Sequence, residues 1–334
     1  MRNLKRALSL GLTAAMISGL MVMGSSAAGY ADVTSENNQE AIEVLQAVGI
    51  MTGVDEEGNF NPDGTVTRNQ MAVIMANLME YNVASYRDTS PFTDVPSWAE
   101  PYVAACYTNG ITSGYSDTIY GGEDSVTTAQ AALMLMKALG YFQYASDFGQ
   151  EWQLATLKQG NNIDLFVGVD SRAEDPLTRN DVAQLVLNTL KSGTVEANTD
   201  GSIEIGGVVI NSNVSYSYIT SNQAYATAIS SNRSTSNNSD AQRSIVELGE
   251  QLYMGDLKLN DNTDDDFMRP SRTWSYDGKE IGTYAKRELQ IASYTSGVTG
   301  KAMYDLLSAS TIRDNELFSY VDGAAGRIKD TDLV

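Results

Sequence analysis

Between residues 67 and 190 the apolar positions recur three times with a helical period. Behind Thr67 they fall at Met71, Ile74, Met75 and Met79. Behind Thr127 they fall at Ala131, Met134, Leu135 and Leu139, and behind Thr178 at Val182, Leu185, Val186 and Leu190. Such spacing makes one apolar stripe on a helix whose other faces are polar. Each run opens on Thr and carries Gln70, Gln130 or Asp181 three residues later. That is the capping-box pattern: the hydroxyl accepts from a first-turn N–H and the amide or carboxylate reaches back. Upstream of each Thr, an apolar residue is followed three later by glycine, in the pairs Ile50/Gly53, Ile111/Gly114 and Leu165/Gly168. Thirteen residues before that apolar residue stand Asn37, Trp98 and Trp152, and further upstream Asp32, Asp94 and Asp147. The pattern predicts three helix-loop-helix repeats over 29–88, 89–142 and 143–190. In the first, a helix over 40–48 ends at Gly49 or Gly53 and an acidic loop over 55–64 follows. One helix pair cannot bury its own stripe, whereas three pairs closing on one another can.

Charge narrows the partners. The net formal charge is −20, and residues 29–190 hold only six basic side chains against 22 acidic ones. This argues against nucleic acid and anionic membranes. Residues 1–28 read as a secretory signal: Arg2, Lys5 and Arg6, an apolar stretch over 7–23, then small residues before position 29. No membrane contact is expected after its cleavage. The chain has no His and one Cys, Cys106. His-based triads, bases and metal sites are thereby excluded, as is an intrachain disulfide, and Cys106 reads as a small core residue. No catalytic residue, metal or cofactor is expected.

One residue breaks the local rules. Arg68 and Arg179 occupy the first helical position, facing the positive end of the helix dipole, at a cost of roughly 0.3–1 kcal/mol. Rule-breaking residues at matched positions are candidate functional residues. On this reading their removal leaves folding nearly intact and weakens binding, and Thr128→Arg adds affinity in the second copy.

The run 92–103, Phe-Thr-Asp-Val-Pro-Ser-Trp-Ala-Glu-Pro-Tyr-Val, followed by Asn-Gly-Ile-Thr-Ser-Gly-Tyr over 109–115, resembles the S-layer homology (SLH) domain. The tetrads at Thr67, Thr127 and Thr178 are similar to that family's Thr-Arg-Ala-Glu signature. The resemblance covers about half the chain. It implies a pseudo-threefold helical module that binds secondary cell-wall polysaccharides, often pyruvylated, in grooves between repeats. It implies that Arg68 and Arg179 contact the glycan. A ketal carboxylate suits the bidentate arginine fork, and helix first-turn N–H groups add anion donors. Asp32, Asp94 and Asp147 are then acceptors for sugar hydroxyls, and Trp98 and Trp152 platforms for a sugar face. Gly53, Gly114 and Gly168 shape the turn beside them. Thr67, Thr127, Thr178, Gln70 and Gln130 serve as helix caps. Thr128 stands where the second copy needs its cation, Asn37 where the first needs Trp, and the third lacks a clear Phe-x-Asp-Val opening. At most two of three grooves are expected to bind well.

The remainder is read as a linker over 191–207 and an α+β region over 208–334. The elements expected there are a strand over 208–220, a mobile Ser/Asn-rich tract over 230–240 and a helix over 241–253. An acidic turn over 260–266, a hairpin around Asp277-Gly278 and a helix over 301–307 follow. The expected fold class is a mainly α module with a smaller α+β region. The expected function is a secreted, non-catalytic protein held non-covalently on the bacterial cell wall by an acidic secondary polysaccharide. Two alternatives remain open: an SLH-tethered, carboxylate-dependent glycan hydrolase with its site in 208–334, and a lattice-forming S-layer subunit partnered by other surface-layer proteins.

Overall fold

The computed structural model describes residues 30–198 apart from 35, 56–57, 145–146 and 148–150. It also describes 202–205, 208–211, 215–220, 245–266, 269–289, 300–307, 317–321 and 324–328. The predicted signal 1–28 and the tract 230–240 lie outside the described residues.

Six helices carry the repeats: α1 Gln39–Ala47, α2 Arg68–Leu78, α3 Glu100–Thr108, α4 Thr128–Ala138, α5 Trp152–Asn162 and α6 Arg179–Leu190. The predicted stripes are buried throughout, except that Met79 is half-buried. Each fully buried Leu, Ile or Met contributes roughly 1.5–3 kcal/mol by leaving water. Thr67 accepts from Gln70 N at 3.2 Å and Gln70 returns the bond, and Thr127 and Gln130 do the same. Thr178 accepts from Asp181 N at 3.1 Å, but the Asp181 carboxylate turns to Ser171 Oγ instead. At the other helix ends Gly49 and Gly110 are left-handed, and Asp164 fills the same place at φ 60°.

The helices pair between repeats: α2 packs on α3, α4 on α5, and α6 on α1. Main-chain bonds at the capping threonines follow the same circuit. Val126 N donates to Val66 O at 2.8 Å, Leu177 N to Val126 O at 3.0 Å, and Val66 N to Leu177 O at 3.0 Å. Because the third bond returns to the first residue, none of the three loops is left at an open end. Cys106 is fully buried, its thiol donating to Ala72 O, and burial pushes its pKa up to about 12.

Residues 191–195, expected as linker, are not free. Ser192, Thr194 and Val195 are buried, and Val195 N donates to Leu139 O at 2.9 Å. Here the chain enters strand β1, Val195–Asn198, paired antiparallel with β4, Ser215–Tyr218. The short hairpin β2, Ser202–Ile205, with β3, Val208–Asn211, lies between them, so the strand expected over 208–220 is two strands. Helix α7 spans Leu248–Tyr253 and is entered through Leu248 N donating to Ser192 O at 3.0 Å. Residues 241–244 of the predicted helix lie outside the described residues, and 245–247 are extended.

A second compact unit comprises 259–274 and 282–334. It contains most of a sheet ordered β5-β6-β7, from strands Leu257–Asp264, Pro270–Tyr276 and Lys279–Ala285. The acidic run expected as a turn is thus largely strand. Its carboxylates pair with cations: Asp261 with Lys286 at 3.3 Å and Asp265 with Arg269 at 2.6 Å. The Asp277-Gly278 turn is as predicted, with both residues at positive φ, 50° and 75°, as a type I′ turn requires. Helix α8, Gly300–Leu307, matches its prediction, and the described residues end with hairpin β8–β9, Leu317–Val321 and Ala324–Ile328. No helix among the described residues is long and apolar enough to cross a membrane.

Candidate functional site: two arginine seats between repeats

The arginines do not lie along their own helices. Arg68 Nε donates to Tyr120 O at 3.2 Å and Nη2 to Ser113 O at 2.8 Å. Its guanidinium lies 4.5 Å from the Tyr120 ring centroid and 4.7 Å from that of Tyr115. Arg179 repeats this on the first copy: Nε to Phe60 O at 2.7 Å, Nη2 to Thr52 O at 2.7 Å, and the Phe60 ring at 4.5 Å. Only 6% and 9% of the two residues is exposed. The expectation that they are dispensable for folding is therefore corrected. Each cation is desolvated, but two carbonyls and an aromatic face compensate it, and the charge-assisted bonds contribute roughly 1.5–3 kcal/mol each. Burial lowers the Arg179 pKa, opposed by the fields of Tyr30 and Asp32. Burial likewise pushes the Tyr30 hydroxyl up to about 12.

Asp32 and Asp94 complete the seats. Asp32 accepts from Phe60 N at 2.9 Å and Asn61 N at 2.6 Å; Asp94 accepts from Tyr120 N and Gly121 N, both at 2.8 Å. One loop residue, Phe60 or Tyr120, thus gives its N–H to the aspartate, its carbonyl to the arginine and its ring to the guanidinium. Desolvation alone would raise the Asp94 carboxyl, but the two N–H groups and the Arg68 charge hold it below the usual carboxylate range. Each carboxylate holds a loop and keeps lone pairs for a further donor.

Asp147 does something else. It accepts from Tyr144 N at 3.0 Å and from the Tyr216 hydroxyl, on strand β4. The third copy has Ser171 seven residues before its capping Thr, where the others have Phe60 and Tyr120. Thr128, opposite it, is buried with its hydroxyl unpartnered, and its N–H bonds Asp175 O at 3.2 Å. Asn188 instead ties down the Leu165 and Val167 carbonyls, each at 2.8 Å.

Trp98 is 52% exposed in the turn before α3, and Trp152 36% exposed at the start of α5. Tyr115, on the open side of the Arg68 guanidinium, is 57% exposed. The three glycines differ in physical cause. Gly168 is left-handed at φ 77°, whereas a Cβ on Gly114 would meet the Phe92 ring at 2.3 Å and one on Gly53 would meet Asn59 O at 2.9 Å. Sequence reasoning missed the aromatic seats. Their signal was present: copies with an aromatic seven residues before Thr face an arginine, and the copy with Ser171 faces Thr128.

Residues 29–72 and 91–132 match the S-layer homology domain family. The chain is 33% identical over 130 residues to a surface-layer 125 kDa protein of Lysinibacillus sphaericus, covering 38% of this chain and 11% of that one. It is 25% identical over 217 residues to a cell surface protein of Thermoanaerobacter kivui, covering 63% and 27%. It is also 25% identical over 137 residues to a surface layer protein of Brevibacillus choshinensis, covering 40% and 12%. The chain thus spans only about a tenth to a quarter of the length of these relatives. The matched segments run from the Asp32 and Asp94 openings into the first turns of the capped helices α2 and α4, and on that ground residues 29–72 and 91–132 are S-layer homology domain segments.

Proposed function

We propose that residues 29–190 form a pseudo-threefold bundle of three SLH repeats that anchors the protein non-covalently to the bacterial cell wall. The ligand is an acidic secondary wall polysaccharide, whose carboxylates, of the pyruvate-ketal kind, lie at the Arg68 and Arg179 seats. One observation carries this reading. Both guanidiniums use Nε and Nη2 on loop carbonyls and leave Nη1 without a partner among the described residues, with the exposed Tyr115 ring beside Arg68. A cation fixed by two carbonyls and an aromatic ring meets an anion with little ordering cost. The third interface has neither arginine nor aromatic seat, so two grooves bind and one does not. The printed names of the relatives, surface-layer and cell surface proteins, support a surface location. The same names favour a second reading, a subunit of a surface lattice. The protein is proposed to be non-catalytic. In the second unit the carboxylates of Asp261, Asp265 and Glu288 are engaged by Lys286, Arg269 and Arg272, rather than presented as a facing pair.

Co-sedimentation tests this. Wall material carrying its secondary polymer should pull the protein down, and the same material after extraction of the polymer should not. Equal sedimentation with both removes the reading.

A further inference from the structure

A cavity of about 330 Å³ lies along α5, walled by the connector after α4 and by strand β4. It shares no residue with either arginine seat. Tyr141, Phe142 and Tyr216 supply its aromatic side; the Tyr141 and Tyr216 rings sit 5.2 Å apart at 57°. Asp147, Gln159 and Asn162 supply polar atoms, and the exposed Lys158 stands at the rim. Phe142 holds a left-handed backbone, φ 55°, which is unusual for a bulky residue. The Asp147 carboxylate is half-satisfied. Its Oδ2 accepts from Tyr144 N and the Tyr216 hydroxyl, while its Oδ1 is buried with no hydrogen-bond partner. An unpaired carboxylate oxygen is costly away from water, and a hydroxyl donor relieves it.

We infer that this cavity is a second carbohydrate site, which takes a neutral saccharide unit. The volume is at the lower end for small-ligand sites, and the lining has the mix such sites use: aromatic faces and a few convergent polar groups. The apolar C–H face of a pyranose packs on Tyr141 and Tyr216. Its hydroxyls donate to Asp147 and exchange bonds with the Gln159 and Asn162 amides, which both donate and accept. An anionic sugar is disfavoured here, because Lys158 is exposed and unfixed and its charge only offsets Asp147. A zwitterionic peptide end, which needs a fixed cation, is disfavoured for the same reason. The site exists only where the third repeat meets the β1–β4 hairpin, since Tyr216 closes it.

Saturation-transfer NMR and calorimetry on the full chain test this, with glucose, galactose and N-acetylglucosamine as probes and the dipeptide D-Ala-D-Ala as the competing class. At least one sugar should bind at one site per chain with millimolar affinity. Ala155→Phe, which fills the cavity, should abolish binding. Gln159→Ala, on a half-buried position that leaves the fold alone, should weaken it at least about fivefold. Trp98→Ala, an exposed aromatic outside the cavity, should leave it unchanged. None of these cavity variants should change retention on wall polymer, so this inference and the anchoring proposal fail separately. No saturable binding of any probe sugar, binding of the dipeptide alone, or sugar binding lost in Trp98→Ala but kept in Ala155→Phe would overturn the assignment.

Discussion

The guanidinium of Arg179 donates to the main-chain oxygen of Thr52 at 2.7 Å, joining residues 127 positions apart. With Arg68 on Ser113, it makes the first residue of a helix a clasp on the loop of another repeat. Removing it should be costly. Arg68→Ala and Arg179→Ala each lose two charge-assisted bonds and leave one buried carbonyl, of Tyr120 or Phe60, unpaired, so each should lower stability by about 2–4 kcal/mol in urea denaturation. Arg→Lys at either position should lose less, because an ammonium keeps the charge but cannot span both carbonyls.

The capping threonines make a smaller contribution. Thr67→Ala and Thr178→Ala remove the acceptor for Gln70 N and Asp181 N and should each lower stability by about 1 kcal/mol. Circular dichroism during thermal unfolding reads this directly, and a loss matching that of the arginine variants would contradict the clasp.

Much of this was legible in the sequence, and the part that was not has one cause. Capping boxes at Thr67 and Thr127, the buried stripes and the Asp277-Gly278 hairpin are set by residues within a few positions, so local rules find them. Arg68 and Arg179 looked misplaced because the local rule weighs only their own helix dipole. Their partners lie in other repeats, 45 to 127 residues away. Asp32 and Asp94 were found by spacing, but their hold on the loop N–H groups depends on a loop folding back. Asp147 kept the spacing but does not hold the third loop, because that loop has Ser171 in place of the aromatic and the carboxylate meets Tyr216 of the added hairpin. The linker expected over 191–207 failed at its start, where Thr194 and Val195 bond to Val246 and Leu139.

The same comparison reverses the expectation for the second copy. Thr128→Arg places a cation opposite Ser171, with no ring beneath it and with the Val167 carbonyl already held by Asn188. It should lower stability by about 1–3 kcal/mol through overpacking and give no gain in polymer affinity. Calorimetry on this variant that found tighter binding would show that the third groove is intact.

Asp94 should give the protein an acid-sensitive element. Its folded pKa is depressed, so its stabilisation is fully present above its ordinary value near 4 and is lost as pH falls through the folded pKa. The stability difference between the wild type and Asp94→Asn should be constant at neutral pH and shrink below about pH 4. A difference independent of pH would remove the charge from the account.

Gly114 distinguishes close approach from backbone strain. Gly114→Ala drives a methyl into the Phe92 ring and the Ile119 and Ser116 carbonyls and should lower stability by about 2 kcal/mol or more. Gly110→Ala, left-handed but in open space, should lose only about 1 kcal/mol. Equal losses in chemical denaturation would mean that the loop relaxes.

The central claim is that two buried arginines meet the acidic groups of a wall polymer. Calorimetric titration of the full chain with purified polymer, before and after its carboxylates are chemically reduced, tests it most directly. The account predicts that reduction weakens binding at least about tenfold, near 1.4 kcal/mol per decade. The affinity for intact polymer should also fall by a similar factor in the Arg68→Lys, Arg179→Lys double variant, with its fold verified. Equal affinity for intact and reduced polymer would contradict it.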